Sequence, residues 1–188
     1  MAVTLGYRAL QGALGMNDAI DLLERACAHE AAGRAYLSPK FVSNFDGGSM
    51  RMLFAADYEA GYFATKAYHT AGGAGARFLV SLYRLQDGEL LALLDGRTIT
   101  DMRTGAASGV IARKVTVAEP VTVGVIGSGH QARAQLQCLA SVYRIERAAV
   151  YSPTAANREA FAREMSVQLG IPVEAAATAQ AAVRGQTV

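Results

Sequence analysis

The stretch VTVGVIGSGHQARAQL, at residues 121–136, constrains the fold of this 188-residue chain more than any other part of the sequence. An apolar run typical of a buried parallel strand leads into a G-x-G-x-x-A turn, and a helical pattern follows. Such a turn lets the backbone approach a pyrophosphate, whose charge the N–H groups and dipole at the start of the helix stabilise. This predicts a dinucleotide site, and the alternative is an ordinary glycine-rich turn. The candidate cofactor-binding residues of the turn are Gly127, Ser128, Gly129, His130 and Gln131.

The segments after the turn alternate between strand and helix patterns. Residues 147–152 have the pattern of a second strand, a helix is expected from Thr154, and a short strand and a last helix follow. This β-α-β-α-β-α order predicts the first half of a doubly wound parallel sheet. The fold class is therefore α/β, with a mixed α+β domain at residues 1–116 and a partial parallel-sheet domain at residues 117–188.

The residues before the turn have a different pattern. A helix is expected over residues 17–33, with Asn17 or Asp18 as its N-cap, and strands rich in Tyr and Phe follow it. Asp87-Gly88 lies between two apolar runs, which is a strong signal for a β-hairpin. A second helix is expected to begin with Thr100 as its N-cap.

The end of the second strand in a doubly wound sheet usually selects the cofactor. An Asp or Glu about 20 residues after the glycines would bind the ribose 2′-hydroxyl of NAD, but residues 151–154 are Tyr-Ser-Pro-Thr. Ser152 and Thr154 can donate hydrogen bonds to a 2′-phosphate, and Arg158 follows one helical turn later. The sequence therefore favours NADP(H) over NAD(H), with Ser152 and Thr154 as cofactor-binding residues. The alternative is that these two side chains only cap the next helix.

Two basic residues in the first half occupy unusual positions. Arg103 lies in the first turn of the helix expected from Thr100, where the dipole disfavours a cation by about 0.3–1 kcal/mol, so an anion is a candidate partner. A local pair with Asp101 or Asp95 is the alternative. Lys66 lies inside the apolar strand pattern YFATKAYH, and a partly buried lysine needs a partner such as a substrate carboxylate. An ordinary edge-strand lysine is the alternative there.

Several function classes have little support in the sequence. The formal net charge is +2 and Lys and Arg form no run, which gives no indication of nucleic-acid binding. No apolar run approaches the ~18 residues of a membrane span. The three histidines have no metal-ligand spacing, so no metal is expected. The first residues lack a signal-peptide pattern, which makes the cytoplasm the default location. Cys27 and Cys138 lie in apolar helical patterns and are expected to fill core.

Two long stretches resemble a known family. Residues 88–114, GELLALLDGRTITDMRTGAASGVIARK, and the glycine turn that follows them are similar to the ornithine cyclodeaminase/mu-crystallin family. The motifs that carry the resemblance are the LALLDG strand, an LRT-A-S helix in which Met102 replaces the usual Leu, and G-x-G-x-Q-A on the nucleotide turn. Arg51 and Lys66 also fall at matching distances upstream.

The resemblance implies an architecture and an activity. The first half would be a dimerisation and substrate domain, the second a Rossmann domain, and the protein a homodimer. Family members use NAD(P) to reduce small amino-acid-derived imines or keto acids, or to cyclodeaminate ornithine with an internally recycled NAD. Carried over, Arg51 and Lys66 would bind the substrate carboxylate, and Lys66 would also act catalytically by stabilising charge. Arg103 would lie between the substrate and the cofactor pyrophosphate.

The sequence departs from the family in two places. A threonine that is common ahead of the strand RFLVSLY is replaced by Ala74-Gly75-Ala76. Family members also continue for well over a hundred residues past position 188, and those residues complete the sheet and supply an aspartate that exchanges a proton with the substrate. The chain is therefore expected to be C-terminally truncated, its own activity is left open, and a non-catalytic nucleotide-binding protein is a further alternative.

Overall fold

A computed structural model describes all residues of the chain except Ala74 and Thr116. The predicted domain boundary between residues 116 and 117 involves Thr116, which lies outside the described residues, so this boundary stays a prediction. The described residues form two compact units. The first unit contains residues 1–15 and 22–100, and the second contains residues 16–21 and 101–188.

The first unit contains a seven-stranded sheet. Its strands are β1 (Val3–Leu5), β2 (Ala35–Leu37), β3 (Phe41–Phe45), β4 (Gly48–Asp57), β5 (Tyr62–Ala71), β6 (Ala76–Arg84) and β7 (Leu90–Asp95). They lie in the order β1-β7-β6-β5-β4-β2, and β3 also pairs with β4. β1 runs parallel to β7, whereas the other pairs are antiparallel. The predicted strands and the hairpin at Asp87-Gly88 are therefore confirmed.

Helices α1 (Tyr7–Leu10), α2 (Met16–Ala31) and α3 (Gly96–Ala112) accompany this sheet, and both units contain residues of α2 and α3. The predicted N-cap of α2 at Asn17 or Asp18 is wrong. Gly15, with an extended backbone, is the N-cap residue. Asp18 lies instead in the first turn, where its negative charge interacts favourably with the helix dipole.

The predicted start of α3 is also wrong, because the helix begins one turn before Thr100. The Asp95 carboxylate accepts a hydrogen bond from the Arg97 N–H at 2.9 Å, which satisfies one of the N–H groups that the first turn leaves without a helical partner. Thr100 lies inside the helix, and its hydroxyl donates to the Gly96 carbonyl at 2.5 Å. Strand β7 therefore leads directly into α3 without the loop that an N-cap at Thr100 would imply.

The second unit contains the predicted β-α-β-α-β-α order, which is confirmed. Strands β8 (Val121–Ile126), β9 (Ile145–Tyr151) and β10 (Val173–Ala175) are all parallel and lie in the order β10-β9-β8, as at the start of a doubly wound sheet. Apolar side chains of β8, β9 and the helices, including Leu136, Phe161 and Met165, form its buried core. The helices between and after these strands are α4 (His130–Val142), α5 (Ala155–Leu169) and α6 (Ala179–Val183).

Two glycines of α3 allow very close packing within the second unit. A Cβ atom added to Gly105 would lie 2.7 Å from the Ala134 carbonyl oxygen, and one added to Gly109 would lie 2.7 Å from the Cys138 sulfur. Cys138 is fully buried there, as predicted, and burial raises the pKa of its thiol. The same prediction is wrong for Cys27, whose side chain is exposed on α2.

Candidate functional site

The glycine turn between β8 and α4 has the backbone shape that a pyrophosphate site requires. Gly127 has φ of +105°, a conformation that side chains disfavour, and its N–H donates to the Tyr151 carbonyl at 2.7 Å. Gly129 is the N-cap residue of α4, which begins at His130. A Cβ atom added to either glycine would meet no non-neighbouring atom of the described residues within 4 Å. The backbone is therefore open to a ligand at both positions, and these residues fit a dinucleotide.

Arg133 connects the glycine turn to the next helix. Its Nη1 donates to the carbonyls of Ser128 at 2.6 Å and Gly129 at 3.2 Å, and its Nε and Nη2 donate to the Glu164 carboxylate at 2.6–3.0 Å. The hydrogen bond to Arg133 lowers the pKa of Glu164, and the carboxylate raises the pKa of Arg133. The guanidinium also lies over the Phe161 ring. Sequence analysis missed this residue, although its place one turn after the glycines could have indicated it.

A pair of serine hydroxyls joins the turn to the end of β9. Ser128 donates to Ser152 at 2.9 Å, and the Ser152 side chain is buried, with only 7% of its surface exposed. Thr154 is the N-cap residue of α5, as predicted for the start of that helix, but its side chain makes no capping hydrogen bond. The buried Ser152 hydroxyl therefore supports the glycine turn through Ser128, whereas Thr154 lies at the protein surface.

The side chain of Gln131 has a partner within the second unit. Its Nε2 donates to the Asp101 carboxylate of α3 at 2.5 Å. Arg103 lies on the same helix and is exposed. It is the eighth residue of α3 rather than a residue of the first turn, so the argument from the helix dipole was wrong for Arg103.

The structure brings Arg51 and Lys66 together on one face of the sheet in the first unit. Arg51 of β4 is paired with Tyr68 of β5, and Lys66 lies two residues before Tyr68, so the three side chains share a face. The Arg51 guanidinium carbon lies 5.6 Å from the centre of the Tyr68 ring, and the Lys66 Nζ lies 5.5 Å from it. Lys66 Nζ also lies 5.1 Å from the centre of the Phe78 ring.

Hydroxyl groups extend this cation pair along the sheet. Arg51 Nη1 donates to the Ser49 hydroxyl at 2.7 Å, and Ser49 lies 3.0 Å from the Thr70 hydroxyl. Sequence analysis missed Ser49, Thr70 and the two aromatic rings, but the alternation of side chains along β4 and β5 contained the signal. Two cations above aromatic rings, with hydroxyls beside them, form a surface suited to a small carboxylate.

Three further observations concern single segments or groups of side chains. The stretch Ala74-Gly75-Ala76, which replaces a threonine common in the family, includes Ala74, and Ala74 lies outside the described residues. Among the residues that the structure describes, no group of three His, Cys, Asp or Glu side chains is arranged to hold a metal ion. None of the helices in the described ranges has the length and apolar character needed to cross a bilayer.

Comparisons with known proteins agree with the geometry. The model of the ornithine cyclodeaminase/mu-crystallin family matches residues 4–188. The chain is 35% identical over 105 residues to a Δ1-pyrroline-2-carboxylate reductase of Bacillus cereus, which covers 56% of the chain and 32% of that enzyme. It is 39% identical over 101 residues to an L-lysine cyclodeaminase of Streptomyces rapamycinicus, covering 52% of the chain and 29% of that enzyme.

A solved structure is similar over nearly the whole chain. The Δ1-pyrroline-2-carboxylate reductase of Thermococcus litoralis, in complex with NADH and L-proline, has a TM-score of 0.93 and 28% identity. The match covers 98% of this chain and 60% of that one. The chain therefore spans about a third to three fifths of the length of these proteins.

Proposed function

The chain belongs to the ornithine cyclodeaminase/mu-crystallin family, and on that premise we propose that its protein is an NAD(P)-dependent oxidoreductase. Its substrate would be a small imine or keto acid derived from an amino acid. The observation that carries the proposal is the pair Arg51 and Lys66, which share the Tyr68 ring on one sheet face. A carboxylate is the group that such substrates have in common, and it is the natural partner of two cations.

The residues of the chain have distinct proposed roles in this reaction. The cofactor, when bound, would exchange a hydride with the substrate carbon. Arg51 and Lys66 would bind and orient the substrate carboxylate. Lys66 would also stabilise the charge that develops on the substrate as its carbon is reduced. For Arg103 we keep the role implied by the family, as a cation for anionic groups of substrate and cofactor.

The proposed cofactor site is the glycine turn. Gly127 and Gly129 would allow the pyrophosphate to approach the backbone, and the N–H groups at the start of α4 would face its charge. His130 and Gln131, the first residues of that helix, would contribute their N–H groups. We further propose that NADP(H) is preferred, because residues 151–157 contain no acid to bind a 2′-hydroxyl.

A cyclodeaminase is the second candidate function. The 39% identity to an L-lysine cyclodeaminase favours it, and the same carboxylate site would serve a diamino acid. The two activities differ in their cofactor balance. A cyclodeaminase releases ammonia without net consumption of the cofactor, whereas a reductase oxidises one NAD(P)H for each imine reduced.

We also propose a homodimer. Phe41, Met52, Ala67 and Leu79 lie in register on the sheet face opposite Lys66. Phe41, Met52 and Leu79 are 62%, 44% and 47% exposed, an apolar row of the kind that second copies cover. A cytoplasmic location is proposed as well, because the site depends on a supply of nicotinamide cofactor.

A substitution of Lys66 tests the proposed function. In the longest gene product that contains these residues, Lys66→Met should lower turnover of Δ1-pyrroline-2-carboxylate with NAD(P)H by about 100-fold or more, since a charge-stabilising group is lost. NADPH affinity, measured by calorimetry, should stay within about twofold. Arg163→Met, which removes an exposed arginine of α5 in the second unit, is the control.

The outcomes separate the candidates. Unchanged turnover in Lys66→Met would remove the catalytic role of Lys66. Ammonia release from lysine or ornithine with constant NAD(H) would favour the cyclodeaminase. Cofactor binding without turnover of any of these compounds, in both the 188-residue chain and an extended gene product, would favour a non-catalytic nucleotide-binding protein.

A further inference from the structure

We infer that Arg158 is the residue that selects the phosphorylated cofactor, an inference that rests on the proposed dinucleotide site. Arg158 lies in the first turn of α5, directly beyond the end of β9. Its Nη1 donates to the carbonyls of Ser152 at 3.0 Å and Pro153 at 3.4 Å. Its guanidinium carbon lies 5.7 Å from the centre of the Tyr151 ring. The side chain is thus held against the loop that follows β9.

This loop is the place where the adenosine ribose of a dinucleotide meets a doubly wound sheet. The glycine turn fixes the pyrophosphate beside β8, and β9 is the parallel neighbour of β8, so the ribose lies at the carboxyl end of β9. The loop residues Ser152, Pro153 and Thr154 carry no charge of their own. A cation for a 2′-phosphate must therefore come from a neighbouring element, and α5 supplies it in Arg158.

The observed contacts leave Arg158 equipped to bind a phosphate. A guanidinium has five N–H groups, and the two on Nη1 are directed to the loop carbonyls. Nε and Nη2 carry three more, in the planar arrangement that matches two phosphate oxygens. Because the carbonyls and the Tyr151 ring already hold the side chain, little conformational entropy is lost when a phosphate binds.

The serine of the loop is less suited to this selection. The Ser152 hydroxyl is buried, accepts a hydrogen bond from Ser128 and lies 3.5 Å from the Thr154 carbonyl oxygen. We therefore assign Ser152 to the support of the glycine turn, which NADH and NADPH use alike. Thr154, exposed at the start of α5, can add a hydrogen bond to a phosphate that Arg158 holds.

The test is a calorimetric comparison of NADPH with NADH on the 188-residue chain. Arg158→Ala should weaken NADPH binding about tenfold or more, equivalent to about 1.4 kcal/mol, and change NADH binding less than about twofold. Arg158→Lys should recover part of the loss, since it keeps the charge but not the fork of donors. Arg163→Ala, which removes an exposed arginine from the same helix, should change neither affinity.

Two further measurements make the test independent of folding defects. The fragments 2′,5′-ADP and 5′-AMP differ mainly in the 2′-phosphate, and Arg158→Ala should weaken only the first. Ser152→Ala should weaken NADPH and NADH by similar factors, because it acts through the turn. Circular dichroism of each variant should match the wild type.

The results divide as follows. A selective loss of NADPH and 2′,5′-ADP affinity supports the inference. Equal losses for both dinucleotides, or no loss, would overturn it while leaving the proposed cofactor class in place. Absence of binding of either dinucleotide to the wild-type chain would overturn the proposed cofactor site, and this inference with it.

Discussion

The two units differ in the kind of chemical group that forms the candidate site, which is backbone in the second unit and side chains in the first. In the second unit, the groups that face the expected ligand are backbone atoms at Gly127 and Gly129, and side chains such as Arg133 support them from behind. In the first unit, the candidate functional groups are the side chains of Arg51 and Lys66, and the backbone aligns them. A site made of backbone needs the right turn, whereas a site made of side chains needs the right register.

This difference predicts how each unit responds to substitution. In the first unit, a change of side chain alters a surface without disturbing the sheet. In the second unit, one added methyl group can block a ligand even where the protein has room for it. The following predictions test the comparison, from the largest expected effect to the smallest.

Met52→Asp should disrupt the proposed dimer. Because a two-fold interface contains each residue twice, two charges would be buried, and the dimer dissociation constant should rise by about 100-fold or more. Sedimentation equilibrium measures this directly. Val167→Asp, at an 87% exposed position on α5, is the control and should leave the association unchanged. A wild-type chain that is monomeric at all concentrations would contradict the proposed dimer.

Gly129→Ala should affect the ligand and spare the fold. The added Cβ meets no non-neighbouring atom of the described residues within 4 Å and φ is −84°, so the free energy of unfolding should change by less than about 0.5 kcal/mol. Cofactor affinity should fall about tenfold, because the methyl group occupies the space of the pyrophosphate. Calorimetry and denaturant unfolding measure the two quantities.

Gly124→Ala is the matched substitution on β8. Its Cβ would lie 2.7 Å from the Ala182 carbonyl oxygen, so it should lower the free energy of unfolding by about 1–3 kcal/mol. If Gly129→Ala instead destabilised the fold and bound cofactor normally, the backbone at the turn would not be a ligand surface.

Glu164→Gln should produce the smallest effect, visible in the pH dependence of stability. Arg133 lowers the pKa of Glu164 below its ordinary 4.5, so the stabilisation is complete above that value and is lost as the pH falls through the lowered pKa. The pair is half-exposed, which limits the contribution to less than about 1 kcal/mol. Acid unfolding of the wild type below pH 4.5 should therefore be slightly steeper than that of Glu164→Gln. Identical acid transitions would show that the pair does not stabilise the turn.

The sequence predicted the second unit better than the first. Apolar runs and the glycine turn are local signals, so the strand and helix order after residue 120 was correct. The beginning of α3 was wrong because Thr100 has the composition of an N-cap, whereas Asp95 on the preceding strand satisfies the first turn. The interpretation of Arg103 depended on that beginning and failed with it.

The contact of Arg51 with the Tyr68 ring could not be predicted from local pattern. Arg51 lies on β4, and only the pairing of β4 with β5 shows that it approaches Tyr68. Lys66 lies two residues before Tyr68, so alternation along β5 alone puts both side chains on one face. Pairing register is set by strand ends, turns and burial together, so it emerges only with the whole sheet. The contact of Arg133 with Glu164 beside the glycine turn could not be predicted from local pattern either, because Glu164 lies beyond a further strand and helix.

The tight packing of Gly109 against Cys138 gives the chain an internal chemical probe. Cys27 is exposed and open to a thiol reagent in the native protein, whereas Cys138 is buried, and burial raises the pKa of its thiol, which disfavours the reactive thiolate. Alkylation should therefore proceed in two steps, with one fast and one slow modification. The rate of the slow step measures how often the second unit opens, without any label or engineered residue.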